Sequence, residues 1–540
     1  MGKQFVNPIL PGYYPDPSIC RVGADYYLCC SSFEMFPGLP VFHSRDLVHW
    51  EQICNAMGAE NGLHVSANSG AGGVMAPTIR HHNGKFYIIN ANFSDRGNFI
   101  ITADAAAGPW CAPHYLEDVP GIDASIFFDA DGQCYIVGTG NVWDNGAGQK
   151  ERGIWAAPYD IENFRMLGEP VTIFNSGMRG ASSPEAPHLY HIGAYYYLVI
   201  AEGGTEHYHS VVVARARNVL DFYEGDPANP VMTHRMMGTR AKFLNVGHAD
   251  LVDTPGGQWY AVMLGSRNIG GCHKNLGRET YLCPVEWEWD WPLFSPDTGC
   301  LAERYPFPEL EERDVPAPPE REDFDGERLP LHFVTMGTPY VPFYRLADSC
   351  LSIQCIPQAL IQKLEFLGMG GERRLDRFMP FVGCRQTQFN AAVSCRMRFR
   401  PEKTESAGLA LIQAMNHQLH LERAVDGGRQ VVRCVLYTTR YDMPAFVPQF
   451  HAETSAAVLG SAPWDQDDII LKMDIAGEEI TLLYGGSEGE LRELCKADGT
   501  RLATKQNGCL VGTLFGMFAS GNGGESSNRA SFDWFQAQQS

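Results

Sequence analysis

The chain is 540 residues long and carries 42 basic and 63 acidic side chains, a formal net charge of −21. An acidic surface repels phosphate backbones and anionic headgroups, so we expect neither nucleic acid nor membrane as a partner, whereas a neutral substrate would not be repelled. Apolar residues make up 44% and aromatic residues 11%, which is enough for a packed core. The 56 glycines and 34 prolines favour many turns between short strands.

The cellular location of the protein is predicted from its cysteines and from the length of its runs of apolar residues. No apolar run reaches the roughly 18 residues of a membrane span, and residues 1–18 lack the basic and apolar pattern of a secretion signal. The 16 cysteines contain no CxxC pair, and several stand within apolar strand patterns. We therefore expect reduced, buried thiols in a cytoplasmic protein.

An internal repeat organises the first 300 residues. An aromatic-rich strand pattern follows a turn five times, at 24–30, 83–91, 131–139, 193–201 and 256–264. The tyrosines that align these patterns lie 48 to 63 residues apart, and they are Tyr27, Tyr87, Tyr135, Tyr197 and Tyr260. Repeats of this period with several strands each are typical of β-propeller blades. We therefore predict an all-β fold that begins with a five-bladed β-propeller.

A short segment precedes each aligned tyrosine and would form the first strand of its blade, nearest the central channel. The residues 11 or 12 positions before the tyrosines are Asp16, Met75, Asp123, Glu185 and His248. Taken singly, each ionisable one has an ordinary explanation as a turn former, a strand-end charge or a core histidine. Ionisable groups are costly to bury for structure alone, so their shared offset predicts a functional site on the channel axis.

Three carboxylates at that site predict a particular chemistry. The sequence has no G-x-S-x-G element, no P-loop and no dinucleotide-binding fingerprint after a strand. Paired carboxylates without a serine or cysteine nucleophile motif are typical of glycoside hydrolysis. That reaction needs one carboxyl group protonated and another ionised at the same pH, and a third can raise the pKa of the acid and orient it.

Seven segments carry a resemblance to a known family: 7–19, 31–38, 121–132, 184–190, 201–205, 246–252 and 276–282. In order along the chain, they resemble glycoside hydrolase family 43, the β-xylosidases and α-L-arabinofuranosidases on a five-bladed propeller. The resemblance implies an inverting enzyme in which Asp16 is the general base, Glu185 the general acid and Asp123 the residue that modulates the pKa of Glu185 and orients it. The Asp16 and Glu185 carboxyls would then lie about 6.5–9.5 Å apart.

The same resemblance implies further substrate-binding positions. Arg278 corresponds to an arginine that reaches the sugar and the carboxylates, a task that suits a fork of donors. Phe33 resembles an aromatic wall of the sugar subsite, and Trp143 would border the leaving group. His248 resembles a histidine below the site that in some members contacts a structural calcium ion, largely through water. We expect no required cofactor, with structural calcium as an open alternative.

One position departs from the family pattern. Many relatives have tryptophan before Ala-Pro in the second blade, whereas this chain has Met75. Methionine is flexible and fills irregular space, so this substrate-binding position leaves the sugar open between xyloside and arabinofuranoside.

The repeat ends before a segment rich in proline and charge at 310–326. We predict a catalytic propeller over 1–312, a linker over 313–322 and a second domain over 323–540. Alternating patterns such as 390–401 and 431–439 predict a β-sandwich, and 509–538 resembles the concanavalin-like (jelly-roll) domain of the longer members. That domain would help to close the pocket into a short, exo-acting site, with Phe515 as a contact or as a core residue.

The resemblance implies an inverting, exo-acting β-xylosidase, with a second activity open, that releases xylose or arabinose from short xylo- or arabino-oligosaccharides. The alternatives are a protein that is mainly an α-L-arabinofuranosidase, a non-catalytic sugar-binding protein and, more remotely, a transglycosidase. Family analogy also predicts a homo-oligomer, although no interface can be identified from one chain.

Overall fold

The computed structural model describes residues 2–67, 72–144, 150–176, 181–362, 377–414, 417–441, 452–503 and 510–540. Regular structure in these ranges is β-strand apart from three short 3-10 turns at Arg235–Met237, Glu488–Glu490 and Gly499–Leu502. The described residues include no helix that is long and apolar enough to cross a membrane. The predicted all-β class is confirmed.

Five antiparallel sheets follow one another along the described part of the first 294 residues. Their first strands are β2 (Ser18–Val22), β7 (Thr78–His82), β11 (Ile122–Phe128), β16 (Glu185–Ile192) and β20 (Phe243–Asp253). Their second strands are β3 (Asp25–Cys29), β8 (Lys85–Asn92), β12 (Cys134–Asp144), β17 (Tyr195–Glu202) and β21 (Trp259–Arg267). Their third strands are β5 (Gly38–Ser44), β9 (Gly97–Ala103), β13 (Lys150–Asp160), β18 (Ser210–Ala216) and β22 (Glu279–Glu288). Their outer strands are β6 (Glu51–Met57), β10 (His114–Tyr115), β14 (Arg165–Met166), β19 (Glu224–Gly225) and β23 (Trp291–Phe294), and β15 (Val171–Phe174) also pairs with β13.

The first strands surround a common axis. Each contacts the first strand of the next sheet, and β20 contacts β2, so the ring is closed and the five-bladed propeller is confirmed. A short pair, β1 (Gln4–Val6) with β24 (Arg304–Pro306), ties the beginning of the chain to the residues that follow the fifth blade. Asn7 reinforces this closure because its side chain donates to the carbonyl of Leu282 at 2.8 Å.

A β-sandwich follows, with two described sheets. The first contains β27 (Tyr344–Ala347), β28 (Cys350–Gln354), β39 (Arg529–Gln539), β30 (Asn390–Arg398), β35 (Asp468–Ala476), β36 (Glu479–Gly485) and β37 (Arg492–Asp498), with β25 (Arg321–Glu322) beside β39. The second contains β34 (Ala452–Pro463), β33 (Arg429–Tyr441), β32 (His417–Asp426), β31 (Ser406–Ala414), β38 (Leu514–Ser520), β29 (Met379–Arg385) and β26 (Val334–Met336). Apolar side chains from both sheets form one core.

The sandwich is joined to the propeller through a shared sheet. The propeller strand β4 (Met35–Phe36) pairs with β26 and extends the second sheet of the sandwich. Below this joint, Tyr13, Phe33 and Met35 are buried in one apolar cluster with side chains of the sandwich. The second domain therefore packs directly against the propeller segments that carry Phe33.

Phe515 does not make the predicted contact with the propeller. On β38, Leu514 and Phe518 belong to the cluster shared with the propeller, whereas Phe515 and Met517 are buried in the sandwich core. Because successive side chains of a strand point to opposite faces, Phe515 faces the sandwich core, which is the second of the two positions that the sequence left open.

Candidate active site

A recurring irregularity of the first strands places the candidate residues. The pairing of first and second strands shifts by one residue between Ile122 and Ser125, between Glu185 and His188, and between Gly247 and Asp250. Each shift contains a residue with positive φ, and the same conformation occurs immediately before β2; these residues are Asp16 (55°), Asp123 (52°), Ala186 (51°) and His248 (56°). Such bulges redirect side chains, and because left-handed residues other than glycine are uncommon, their recurrence at one position of several blades points to a functional constraint.

The pairing of the strands changes which residues are equivalent between blades, compared with the count of 11 or 12 residues back from each tyrosine. The hairpins of blades one, two and four have two-residue connections, whereas Asp129 and Thr254 close connections that are one residue longer in blades three and five. Asp16, Asp123 and His248 therefore share one structural position. Glu185 lies one residue earlier, beside the left-handed Ala186, and Met75 is likewise one residue early because its hairpin is also short.

Asp16 is held as a carboxylate by three partners. Arg278 Nη1 donates to its Oδ1 at 2.6 Å, Ser31 Oγ donates to its Oδ2 at 2.6 Å, and His248 Nδ1 lies 3.5 Å from Oδ1. Burial alone would raise the pKa of Asp16, but the Arg278 charge, His248 and the Ser31 hydrogen bond outweigh it and hold that pKa below its ordinary value. Asp16 is thus ionised at neutral pH and able to accept a proton.

The pKa of Glu185 is shifted in the opposite direction to that of Asp16. Burial and the negative charge of Asp16 raise the pKa of Glu185 above its ordinary value, although Arg152 opposes the shift. Arg152 Nη1 donates to Glu185 Oε1 at 2.6 Å, and both side chains keep some exposure. Glu185 therefore keeps a proton to a higher pH than an ordinary glutamate does, as a general acid requires.

Asp123 is electrostatically linked to both of these residues. Burial raises the pKa of Asp123 well above its ordinary value, and the charges of Glu185 and Asp16 raise it further. Arg152 and a hydrogen bond from the backbone of Ala186 act in the opposite direction. Because Asp123 and Glu185 influence each other, they titrate as a pair that retains a proton.

Arg278 and Phe33 form one side of the site. Arg278 is 3% exposed, and its Nη1 also donates to Thr205 Oγ1 at 3.2 Å. Its guanidinium lies 5.3 Å from the centre of the Phe33 ring, which stacks on Tyr13. Met75, which is partly exposed, packs against the cluster that contains Phe33. The structure thus brings Arg278, Phe33 and Met75 to the side of Asp16.

Two other predicted positions have different outcomes. Trp143 belongs to β12 and pairs with Glu151, but its side chain lies outside the described residues. His248 is buried, its pKa is lowered by burial, and its ring lies 6.5 Å from that of His188. His248 is thus next to Asp16 rather than in contact with a pocket wall.

A calcium ion with protein ligands does not fit beside His248. Calcium prefers six to eight oxygen ligands, and the nearest carboxylate, Asp16, already has both oxygens engaged by Arg278 and Ser31. Within the described ranges, no group of three or more His, Cys, Asp or Glu side chains is arranged to hold a metal ion.

Three functional residues were missed by reasoning from the sequence. Arg152 on β13, Ser31 after β3 and Thr205 after β17 contact the catalytic set, but none stands at the repeated offset. Arg152 is paired with Asn141 within blade three, and its hydrogen bond to Glu185 of blade four appears only when the blades are assembled. Ser31 begins the segment 31–38 and Thr205 ends the segment 201–205, so two of the three stand in segments that carry the family resemblance.

An ionised carboxylate and a carboxyl group whose pKa is raised in part by the charge of that carboxylate meet the requirement for acid–base cleavage of a glycosidic bond. By fold and by site the protein is a glycoside hydrolase. Comparison with known protein families identifies the family of glycoside hydrolases. Residues 5–292 match Glycosyl hydrolases family 43, and residues 321–538 match the Beta xylosidase C-terminal Concanavalin A-like domain. The chain belongs to glycoside hydrolase family 43.

Two relatives and one solved structure match over 94% or more of each chain. A xylosidase/arabinosidase of Butyrivibrio fibrisolvens is 37% identical over 545 residues, 99% of each chain. A non-reducing end alpha-L-arabinofuranosidase of Bacteroides ovatus is 36% identical over 549 residues, 99% of this chain and 94% of that one. The crystal structure of xylan beta-1,4-xylosidase from Bacillus halodurans superposes with a TM-score of 0.85 at 28% identity, over 99% of this chain and 100% of the other.

Proposed function

We propose that the protein is an inverting, exo-acting β-xylosidase with α-L-arabinofuranosidase activity, acting on short xylo- or arabino-oligosaccharides. The observation that carries the mechanism is the opposite perturbation of the two carboxyl groups, with the pKa of Asp16 lowered and that of Glu185 raised. The names of the Butyrivibrio and Bacillus relatives support the choice of xylose and arabinose as substrates.

In the proposed reaction, Glu185 donates its proton to the glycosidic oxygen as the bond to the anomeric carbon breaks. Asp16 accepts a proton from a water molecule, whose oxygen attacks the anomeric carbon from the opposite face of the sugar. The products are an alcohol leaving group and a sugar of inverted configuration, and the two carboxyl groups exchange protonation states. Solvent then restores the proton to Glu185 and removes it from Asp16.

The neighbouring residues have supporting roles in this proposal. Arg278 keeps Asp16 ionised and fixes its orientation through Oδ1, and Ser31 fixes the other oxygen. Arg152 orients Glu185, while Asp123, whose own pKa is raised, forms with Glu185 the pair that retains the proton. We assign the sugar-binding surface to Arg278, Phe33 and Met75, and the leaving-group side to Trp143.

The experiment that tests this function compares nitrophenyl β-xyloside and nitrophenyl α-L-arabinofuranoside side by side, with proton NMR of the first product formed. We expect turnover of both glycosides, faster on the xyloside, and inverted anomeric configuration. Turnover of neither would show a non-catalytic sugar-binding protein. Retained configuration would indicate a covalent intermediate and a transglycosidase-like mechanism.

The second candidate is a protein that is mainly an α-L-arabinofuranosidase. Met75 favours it, because a flexible side chain at a position where many relatives have tryptophan alters the shape of the sugar subsite. The name of the Bacteroides relative is consistent with this alternative. A kcat/KM that is higher on the arabinofuranoside than on the xyloside would establish it.

Three further attributes belong to the same proposal. We place the protein in the cytoplasm because the 15 described cysteines are all unpaired thiols, which suits a reducing compartment. We propose a homo-oligomer by family analogy, to be tested by light scattering. We also propose that the reaction requires no cofactor, since proton transfer between carboxyl groups and water completes it.

A further inference from the structure

Beneath the catalytic residues, a second ring of polar side chains lies on the propeller axis. Two positions after the left-handed residues, the first strands carry Ser18, Ser125, His188 and Asp250 at one equivalent position. Each is no more than 2% exposed. A buried carboxylate at the centre of a propeller requires a positive partner, and blade two supplies one from Arg80 on β7.

Arg80 joins four of the five blades. Its Nη1 donates to Asp250 Oδ2 at 2.9 Å, and its Nη2 donates to Asp250 Oδ1 at 3.0 Å and to His188 Nδ1 at 3.0 Å. Ser18, in blade one, lies 3.2 Å from Nη1. The two hydrogen bonds from Arg80 to the two oxygens of Asp250 fix the carboxylate in the plane of the guanidinium.

Asp250 has no remaining need of a cation. In addition to Arg80, it accepts hydrogen bonds from Ser18 Oγ at 2.7 Å, from the backbone N–H of Ile19 at 2.9 Å and from Tyr190 at 2.5 Å. Burial alone would raise the pKa of Asp250, but Arg80, His188 and these hydrogen bonds hold it far below its ordinary value. The carboxylate is therefore permanently charged and fully satisfied.

The surroundings of Arg80 Nη1 are those of a hard metal ion. This one nitrogen has four oxygen atoms within 3.2 Å: Ser18 Oγ, the carbonyls of Ile19 and Ile79, and Asp250 Oδ2. A hydroxyl, two backbone carbonyls and a carboxylate are the ligand types that calcium takes in proteins. In this chain, one guanidinium nitrogen is hydrogen-bonded to all four.

We propose that Arg80 fills a latent divalent-cation site on the propeller axis, so that the chain supplies its own cation there and is independent of calcium. Removing the Arg80 side chain leaves these four oxygens in place, and the buried carboxylate of Asp250 among them loses its positive partner. A calcium ion bound by the four oxygens would then neutralise that carboxylate. Arg80 also links the axis to the catalytic layer, because it donates to His188, whose ring centre lies 6.5 Å from that of His248, and His248 lies 3.5 Å from Asp16. The inference concerns the axis and holds whichever glycoside is hydrolysed.

The test compares thermal unfolding and activity in chelator, in magnesium and in calcium. For the unaltered protein we expect the same melting temperature and the same kcat in all three. For Arg80→Ala we expect a melting temperature that is lowered in chelator and raised by several degrees in calcium, more than in magnesium, because magnesium demands a tighter geometry. The double variant Arg80→Ala, Asp250→Asn should lose the response to calcium.

A matched arginine serves as the control. Arg21 also joins blades one and five through a two-pronged contact, to Asp253 at 3.0 and 2.7 Å, but it lies at a partly exposed edge. Arg21→Ala should change the melting temperature little and gain no response to calcium. If it responds as Arg80→Ala does, the effect is general and the axial site is refuted.

Two further results would overturn the proposal. One is a loss of stability or activity of the unaltered protein in chelator that calcium reverses, since that places a required metal in the native chain. The other is a folded Arg80→Ala variant that is indifferent to calcium. If Arg80→Ala does not fold, Arg80→Gln replaces it, and calcium binding measured by titration calorimetry gives the same decision: binding is expected to Arg80→Gln and not to the unaltered protein.

Discussion

Replacing Glu185 by glutamine removes the proton that the leaving oxygen needs while it preserves the shape of the side chain. The hydrogen bond from Arg152 to Oε1, 2.6 Å long, can be kept because an amide carbonyl oxygen also accepts it. General acid catalysis contributes about 10²–10⁴-fold, which is about 2.7–5.4 kcal/mol of barrier at 1.36 kcal/mol per tenfold change. We therefore expect kcat on xylobiose to fall by about 10²–10⁴-fold.

The assay exploits the leaving group. A nitrophenolate leaves without being protonated, so Glu185→Gln should lose little on nitrophenyl β-xyloside. Because the pKa of Glu185 is raised and its protonated form is active, wild-type activity is lost as pH rises through that pKa. The alkaline limb of the pH profile should flatten in the variant. Glu224→Gln, an exposed carboxyl on the outer strand of the same blade, is the control and should change neither measurement.

Equal losses on xylobiose and on the nitrophenyl glycoside would refute the assignment, because the missing group would not be a proton donor. An alkaline limb that survives in Glu185→Gln would point instead to Asp123, whose pKa is also raised. The corresponding measurements on Asp123→Asn would then decide between the two carboxyl groups.

The remaining predictions concern the other members of the site. Asp16→Asn should lower kcat by about 10²–10⁴-fold on both substrate types and remove the acid limb, because wild-type activity is lost as pH falls through the lowered pKa of Asp16; an acid limb that persists would contradict this. Arg152→Met should move the alkaline limb to higher pH and lower kcat, since Arg152 opposes the raised pKa of Glu185; a shift to lower pH would show that the ion pair is misassigned. Gly512→Ala should destabilise the protein by about 1–3 kcal/mol in denaturant unfolding, because its Cβ would lie 2.5 Å from the Tyr13 side chain, whereas Gly489→Ala, with no atom within 4 Å, should be neutral.

The repeat in the sequence was sufficient to predict five blades, because each blade repeats the same hairpin of turn and aromatic strand. It was also sufficient to select Asp16, Asp123 and Glu185 as a group. The repeat could not align the candidate residues to within one residue. A hairpin connection that is one residue longer in some blades changes the number of residues between the tyrosine and the equivalent position, and Glu185 is therefore one residue out of line with Asp123.

The arginines of the site could not be predicted, for a different reason. Arg152 and Arg80 stand on strands where nothing nearby in sequence distinguishes them from surface arginines such as Arg165. Their partners, Glu185 and Asp250, are 33 and 170 residues away. Such contacts follow from the closure of the blade ring, so they become visible only when the blades are assembled.

Three arginines and three carboxylates on the axis show what sets a protonation state here. Arg278, Arg152 and Arg80 contact Asp16, Glu185 and Asp250 at 2.6–3.0 Å, yet the pKa is lowered for Asp16 and Asp250 and raised for Glu185. An arginine is therefore not decisive by itself. Asp16 and Asp250 each gain further donors, from Ser31 and from Ser18 and Tyr190, whereas Glu185 has one arginine against burial and the charge of Asp16. The division into base and acid thus results from how many donors each carboxyl group receives.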